Sequence, residues 1–276
     1  MGSYLSIDET AFSNGELYTI LTNKKAKGKK GAIIAMVKGT KADSVIKILY
    51  KIPLKQRNKV KEVTLDMAGN MGLIVSKSFP NAALVIDRFH VQKLALDALQ
   101  EIRIKYRWEA LDNENDAIAN ARSKSLKYTP ELLENGDTLK QLLARSRYLL
   151  YKNSSKWTEN QAARAKILFE YYPDIGKAYK LCQNLSWIFN NTKDKTSALI
   201  RLAKWDEKVR QAKFKSFNSI SRTMAIHYKN ILNYFDNRST NASAESFNAK
   251  IKAFRAQFRG VRNVEFFLFR LTNIFA

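Results

Sequence analysis

The chain has 276 residues, 45% of them hydrophobic, enough for a well-buried core in one large domain or two ordinary ones. Its 48 Lys and Arg outnumber 25 Asp and Glu for a net charge of +23, which points to a polyanionic partner, nucleic acid first and an anionic lipid surface second. The longest apolar runs, such as residues 32–37, are too short to span a bilayer, no signal-peptide pattern opens the chain, and a lone cysteine, Cys182, excludes an internal disulfide. With only His90 and His227 there is no soft-ligand set for structural zinc. Any metal is expected on carboxylates, which selects Mg2+ or Mn2+. Residues 1–6 fit the loose N-myristoylation pattern, but Leu5 and Ile7 belong to a core-strand pattern that would bury this end. The chain reads as cytoplasmic.

Residues 4–8 alternate as a strand ending on Asp8. Residues 15–23 follow, with Leu17, Thr19 and Leu21 on one face, then residues 30–37 with the run Ala-Ile-Ile-Ala-Met-Val. Turns at Ser13-Asn14-Gly15 and around Gly28 predict an antiparallel meander. Between the second and third strands stand Lys24, Lys25, Lys27, Lys29 and Lys30, either a solvated turn that blunts an edge or a set of phosphate contacts. Thr40-x-x-Asp43 has the form of a capping box, and Val45, Ile46, Leu49 and Ile52 give a helical stripe that stops before Pro53. Next come a strand over residues 61–66 ending in Asp66, a short helix over 69–79, and a fully buried strand over 82–86. A meander followed by strand, helix and strand predicts an α/β layer on a mixed sheet, with its site at strand ends and helix starts.

From Val91 to about Phe235 the periodicity becomes helical. Helices are expected over 91–111, 113–123, 130–151, 158–169, 173–190, 194–213 and 216–235, with Thr129 and Thr158 as N-caps. This block carries all four tryptophans, Trp108, Trp157, Trp187 and Trp205. They suit a core, or a platform for stacking bases.

After residues 236–241 a helix begins in which Phe247, Ile251, Phe254 and Phe258 form one buried stripe. Glu245, Asn248 and Lys252 fall on another face. Gly260 breaks this helix, and residues 264–275 form a last apolar one. Asp8 and Asp66 are expected side by side, because the first strand and the strand after the first crossover are neighbours at the sheet centre. Paired carboxylates repel unless a cation lies between them, and Glu245 is placed to complete a site for two ions that serve phosphodiester displacement. Each residue also has a plainer reading. A strand-end aspartate can be a turn or cap residue, and Glu245 can simply favour a helix N-terminus. Glu9 faces away from Asp8 by strand alternation.

The order Ile7-Asp8-Glu9, then Val63-Thr64-Leu65-Asp66-Met67-Ala68, then Phe79-Pro80-Asn81-Ala82 leading into Val85-Ile86-Asp87-Arg88-Phe89-His90-Val91, resembles the DDE transposases of bacterial insertion sequences. The likeness is strongest to their ISL-three branch, through Arg238-Ser-Thr-Asn241, Glu245, Asn248, Lys250-Ile-Lys252, Arg255 and Gly260-Val-Arg262-Asn263. It implies a ribonuclease H-like catalytic core over residues 1–90 and 236–276, interrupted by a helical insertion over 91–235. By position Asp8, Asp66 and Glu245 match the catalytic, metal-binding triad, with two Mg2+ or Mn2+ ions. Asp87 and His90 match an Asp-x-x-His element of related transposases, implying support of the site or DNA contact. The same support or contact is implied for Asn241, Asn248, Lys250, Lys252, Arg255 and Arg262. The lysine turn, together with Arg259, would add phosphate contacts. DNA cleavage and strand transfer by a homodimer, associated with the nucleoid, complete the expectation. A nuclease or resolvase without strand transfer, and an inactive DNA-binding remnant, are the alternatives. Two departures stand out: Ala242 occupies the place where the family usually has glycine after Asn241, and the zinc-binding and helix-turn-helix region that usually precedes the core is missing. End recognition is therefore expected from a separate protein or from a segment outside this sequence.

Overall fold

The computed structural model describes residues 1–11, 16–257 and 263–276. The expected turn at Ser13-Asn14-Gly15, the helix break at Gly260, and Phe258, Arg259 and Arg262 lie outside the described residues. Five strands, β1 (Tyr4–Ala11), β2 (Leu17–Asn23), β3 (Ile33–Lys38), β4 (Glu62–Leu65) and β5 (Ala83–Ile86), form one sheet in the order β3-β2-β1-β4-β5. The first three pair antiparallel, while β1–β4 and β4–β5 are parallel. The connections account for the change: a turn over residues 24–32 joins the antiparallel β2 and β3, whereas helices α1 (Ala42–Leu49), α2 (Leu54–Arg57) and α3 (Gly69–Ser78) carry the chain back between the parallel strands.

Side chains alternate across a strand, so each strand feeds two layers. On one face Leu5, Ile7, Leu21, Val63 and Leu65 pack with Val45 and Leu49 of α1 and with Met71, Ile74 and Val75 of α3. On the other, Tyr18, Ile20 and Ile33 pack with Phe247 and Ile251 of α11 (Ala242–Gln257) and with Phe267 and Leu271 of α12 (Val264–Phe275). Ser6 and Asp8 belong to this second face, since Asp8 pairs with Ile20. A mixed sheet of this order, covered by helices on both faces and interrupted by a helical block, is the ribonuclease H-like α/β arrangement that the resemblance implied.

Two compact units divide the chain. One comprises Met1–His90, Lys193–Lys195 and His227–Ala276, the other Val91–Thr192 and Thr196–Ile226. The sheet unit takes in the end of α9 (Lys215–Leu232) and all of α10 (Tyr234–Asn237), where the Asn233 amide donates to the Leu84 carbonyl at 2.8 Å. The helical unit contains α5 (Leu139–Arg145), α6 (Glu159–Tyr171), α7 (Pro173–Asn191) and most of α4 (Arg88–Ser123) and α8 (Lys195–Ala212). Trp205 is fully buried and donates to the Leu181 carbonyl at 2.9 Å, and Trp157 stacks on Tyr179 with centroids 5.2 Å apart. Trp108 and Trp187 remain 59% and 49% exposed, the Trp187 ring lying under the Arg201 guanidinium at 5.0 Å.

Several local expectations change. Thr40 does not cap α1; its N-cap is Lys41, without a side-chain bond. The strand over 82–86 is an edge strand, last in the order, and it is not fully buried: Ala83 is exposed and Leu84 half-buried, while Val85 and Ile86 are buried. The two helices expected over 91–123 run as one, α4, since no Gly or Pro interrupts it. The helix expected over 130–151 is broken: Gly136 takes the left-handed conformation at φ +76, and α5 starts only at Leu139, N-capped by Thr138 in a capping box with Gln141. Asp137 is buried there between Arg145 and Arg164. Thr158 does cap α6, in a second capping box with Gln161.

The seating of α11 rests on Phe247, which is 1% exposed. Phe247→Ala is expected to cost about 3–5 kcal/mol in denaturant unfolding of the sheet unit, against less than about 0.5 kcal/mol for the exposed Phe269→Ala. Equal effects would mean that α11 is not anchored by this face.

Candidate active site

Ser6 pairs with Thr64 across the parallel β1–β4 ladder, and Leu65 pairs with Ile86 across β4–β5. Two residues beyond the first pair lie Asp8 and Asp66; one beyond the second lie Asp66 and Asp87. Because these strands run parallel, all three aspartates stand in a row along one end of the sheet. The Asp66 Oδ1 atom accepts the Ala68 N–H at 2.8 Å, turning the chain into α3.

Asp87 is the most enclosed of the three, 1% exposed. Its Oδ1 accepts the Phe89 N–H at 3.0 Å and its Oδ2 accepts the Asn241 N–H at 2.6 Å. One carboxylate thus binds the first turns of both α4 and α11, where unpaired N–H groups and the helix dipoles favour negative charge. The Asn241 carbonyl in turn accepts the Glu245 N–H at 2.9 Å, so Asp87 fixes the turn from which Glu245 projects. One turn further along, the Asn248 amide donates to Asp8 Oδ2 at 2.6 Å, while the Glu9 N–H donates to Oδ1 at 2.8 Å.

The charges share one field. Burial raises the Asp8 carboxyl above its ordinary range, and Asp66 and Glu245 raise it further against the opposing pull of the Glu9 N–H and His90. Glu9 is also raised, first by burial and then by Asp66 and Asp8. One ligand atom each from Asp87, His90 and Glu245 lie within 4.8 Å of one another. Asn241 is buried with both side-chain polar atoms unpartnered among the described residues, as is Asn248 Oδ1. Carboxylate and amide oxygens with one imidazole suit a hard divalent cation. Asp8 and Asp66 add two more carboxylates beside this group, so the residues present fit such an ion.

The basic residues divide. Lys24 leaves the phosphate-facing set expected of it: its ammonium is paired with Glu62 at 3.4 Å, with side chains 15% and 4% exposed, and is bonded to Thr64. Burial lowers the Lys24 pKa, with Glu62 and Asp87 opposing. Asn237 completes the partnership by donating to Glu62 Oε2 at 3.1 Å. The missed signal was Glu62, a carboxylate inside a strand pattern, which requires a cation or donors once buried. Lys25, Lys27, Lys29, Lys30, Lys250 and Lys252 are exposed. The Arg255 guanidinium lies over the Phe267 ring at 5.0 Å.

A ribonuclease H-like sheet with carboxylates gathered at its parallel strand ends defines the DDE class of DNA-processing proteins. The chain belongs to the ISL3 family of DDE transposases: the family model, described as "Transposase", matches residues 5–271. The chain is 22% identical over 277 residues to "Transposase for insertion sequence element IS1001" of Bordetella parapertussis, covering 99% of this chain and 61% of that protein. It is 26% identical over 198 residues to "Transposase for insertion sequence element IS1557" of Mycobacterium tuberculosis, covering 70% of this chain and 43% of that protein. The chain therefore spans less than two thirds of the length of these relatives. Divalent-metal use goes with the family. No helix among the described residues is long and apolar enough to cross a membrane.

Asp87→Asn replaces one acceptor oxygen by an amide that must face an N–H donor. The expected cost is about 1.5–3 kcal/mol of stability, the range for hydrogen bonds to a charged group, read by denaturant unfolding. An unchanged midpoint would show that the two helix starts do not depend on this carboxylate.

Proposed function

We propose that this chain is the catalytic part of an insertion-sequence transposase, which hydrolyses a phosphodiester at the element end to free a 3′-OH and joins that hydroxyl to target DNA. The observation that carries the reading is the equivalent register of Asp8 and Asp66 on neighbouring parallel strands, beneath a helix that presents Glu245 and ties Asn248 to Asp8. Asp8, Asp66 and Glu245 would hold two Mg2+ or Mn2+ ions, which supply activation of the attacking oxygen and neutralisation of the leaving one. The chain's own residues do the positioning. Asn248 holds Asp8 by one oxygen, Asp87 sets the start of α11, and His90 offsets the negative charge around Asp8. Lys252, two turns along from Glu245, and Arg255 and Arg262 beyond it, are the proposed phosphate contacts. Recognition of the element ends is assigned to a separate protein or segment, and the active form to a homodimer at the nucleoid.

The test is nicking of supercoiled DNA in Mg2+ or Mn2+, followed by joining of a tagged 3′-OH end. The wild type is expected to nick and join, whereas Asp66→Asn and Glu245→Gln lose both while still binding DNA. Nicking without joining would reassign the chain to nucleases. Undiminished nicking by either variant would remove that residue from the site.

A further inference from the structure

We infer that the turn over residues 25–30 and Lys250 of α11 form a single anion-binding corner that grips the sugar-phosphate backbone of DNA beside the carboxylates, with Lys24 as its half-buried anchor. The choice of DNA rests on the transposase reading; the corner rests on geometry. The turn is built rather than slack. Its backbone is closed by Lys27 N–H to the Lys24 carbonyl at 3.1 Å, Lys29 N–H to Ala26 at 3.0 Å, Ala32 N–H to Lys29 at 3.0 Å and Asn23 N–H to Ala32 at 2.8 Å. The Asn23 side chain caps it from within by accepting the Lys25 N–H at 3.2 Å.

Two attachments fix its position. At one end Lys24 turns inward to Glu62 and Thr64. In the middle, Gly28, at φ +70, approaches α11 so closely that a Cβ there would lie 3.3 Å from Lys250 Nζ and 3.4 Å from the Phe247 ring. Lys25, Lys27, Lys29 and Lys30 are thereby held exposed beside Lys250, and no carboxylate pairs with any of these five among the described residues. Like charges gathered on one turn repel even in water. A turn that only blunted an edge would let its lysines splay apart and would need no glycine docked on a helix. A polyanion offsets the repulsion.

The residues between the lysines are Ala26 and Gly28, so the ridge has no large apolar side chain to insert into a bilayer, which favours a nucleic-acid backbone over a lipid surface. Its place on α11 fixes the strand's course: Phe247 meets Gly28, and the next residue, Asn248, bonds Asp8. Backbone held at the corner is delivered to the carboxylates.

The experiment measures duplex DNA binding by fluorescence anisotropy across a salt series, using the full chain carrying Asp66→Asn so that no cutting occurs. Lys27→Ala with Lys29→Ala is expected to reduce the slope of log affinity against log salt by about 1.8, and Lys250→Ala by about 0.9, at about 0.9 per lost phosphate contact. Lys51→Ala with Lys55→Ala, which removes the same charge from an exposed site elsewhere in the sheet unit, should leave the slope near its starting value. Gly28→Ala removes no charge but strains a φ +70 residue, so it should lower the thermal midpoint and also weaken binding at temperatures where the chain is still fully folded. Equal slopes for the corner and control variants would overturn the inference, as would lysine effects on binding to phosphatidylserine vesicles but not to DNA. The catalytic reading fails separately: if the wild type binds DNA but neither nicks nor joins it in Mg2+ or Mn2+, that reading falls while the slopes still decide the corner.

Discussion

Three aspartates stand side by side just beyond the parallel pairing of β1, β4 and β5 and repel one another, and the sheet unit is arranged around keeping them together. Asp87, the most buried, is held by the first N–H groups of α4 and α11, where helix ends favour a carboxylate. Asp8 is held by the Glu9 N–H and the Asn248 amide, and Asp66 by the start of α3. Each carboxylate therefore keeps a backbone donor, yet Asp8 is still pushed upward by burial and by its neighbours. In the proposed reading a divalent cation would offset the unrelieved part of that repulsion, which would link the geometry of the sheet to the metal use of the family.

The same arrangement explains why α11 carries so much of the site. Its apolar stripe seats it on Tyr18, Ile20 and Ile33, its N-terminus is tied to Asp87, and its polar face reaches Asp8. The buried Glu62 and the half-buried Lys24 form a charge pair on this face of the sheet, with Asn237 attached from the segment just before α11. Breaking one partner of such a pair leaves an uncompensated charge, so the lysine turn and the approach to α11 are held to the strand that ends in Asp66.

What the sequence displayed was periodicity. Strand periodicity placed Asp66 at the end of its strand but stopped the first strand at Asp8, whereas β1 runs on to Ala11 in its pairing with β2; the spacing of Phe247 and Ile251 marked the buried stripe of α11. What it concealed was direction and distance. Nothing local distinguishes Lys24, which turns into the sheet, from Lys25, which does not; the difference is made by Glu62, 38 residues away. Asp87 looked like a companion to His90, but its second partner, Asn241, lies 154 residues along the chain. The caps expected at Thr40 and Thr129 failed because local side-chain chemistry was outweighed by where the chain turned, at Lys41 and around Gly136. The continuous α4 showed the reverse: two helices were expected to part at residue 112, but no Gly or Pro stands there and the helix runs on.

The central claim is that Asp8, Asp66 and Glu245 hold the metal, with Asp87 serving as the tie between helix starts. Anomalous diffraction from crystals soaked in Mn2+ tests it directly. The account predicts density between Asp8, Asp66 and Glu245, with Asp87 still bound to the Phe89 and Asn241 N–H groups. A Mn2+ peak confined to Asp87, His90 and Glu245, with Asp8 and Asp66 unligated, would contradict it.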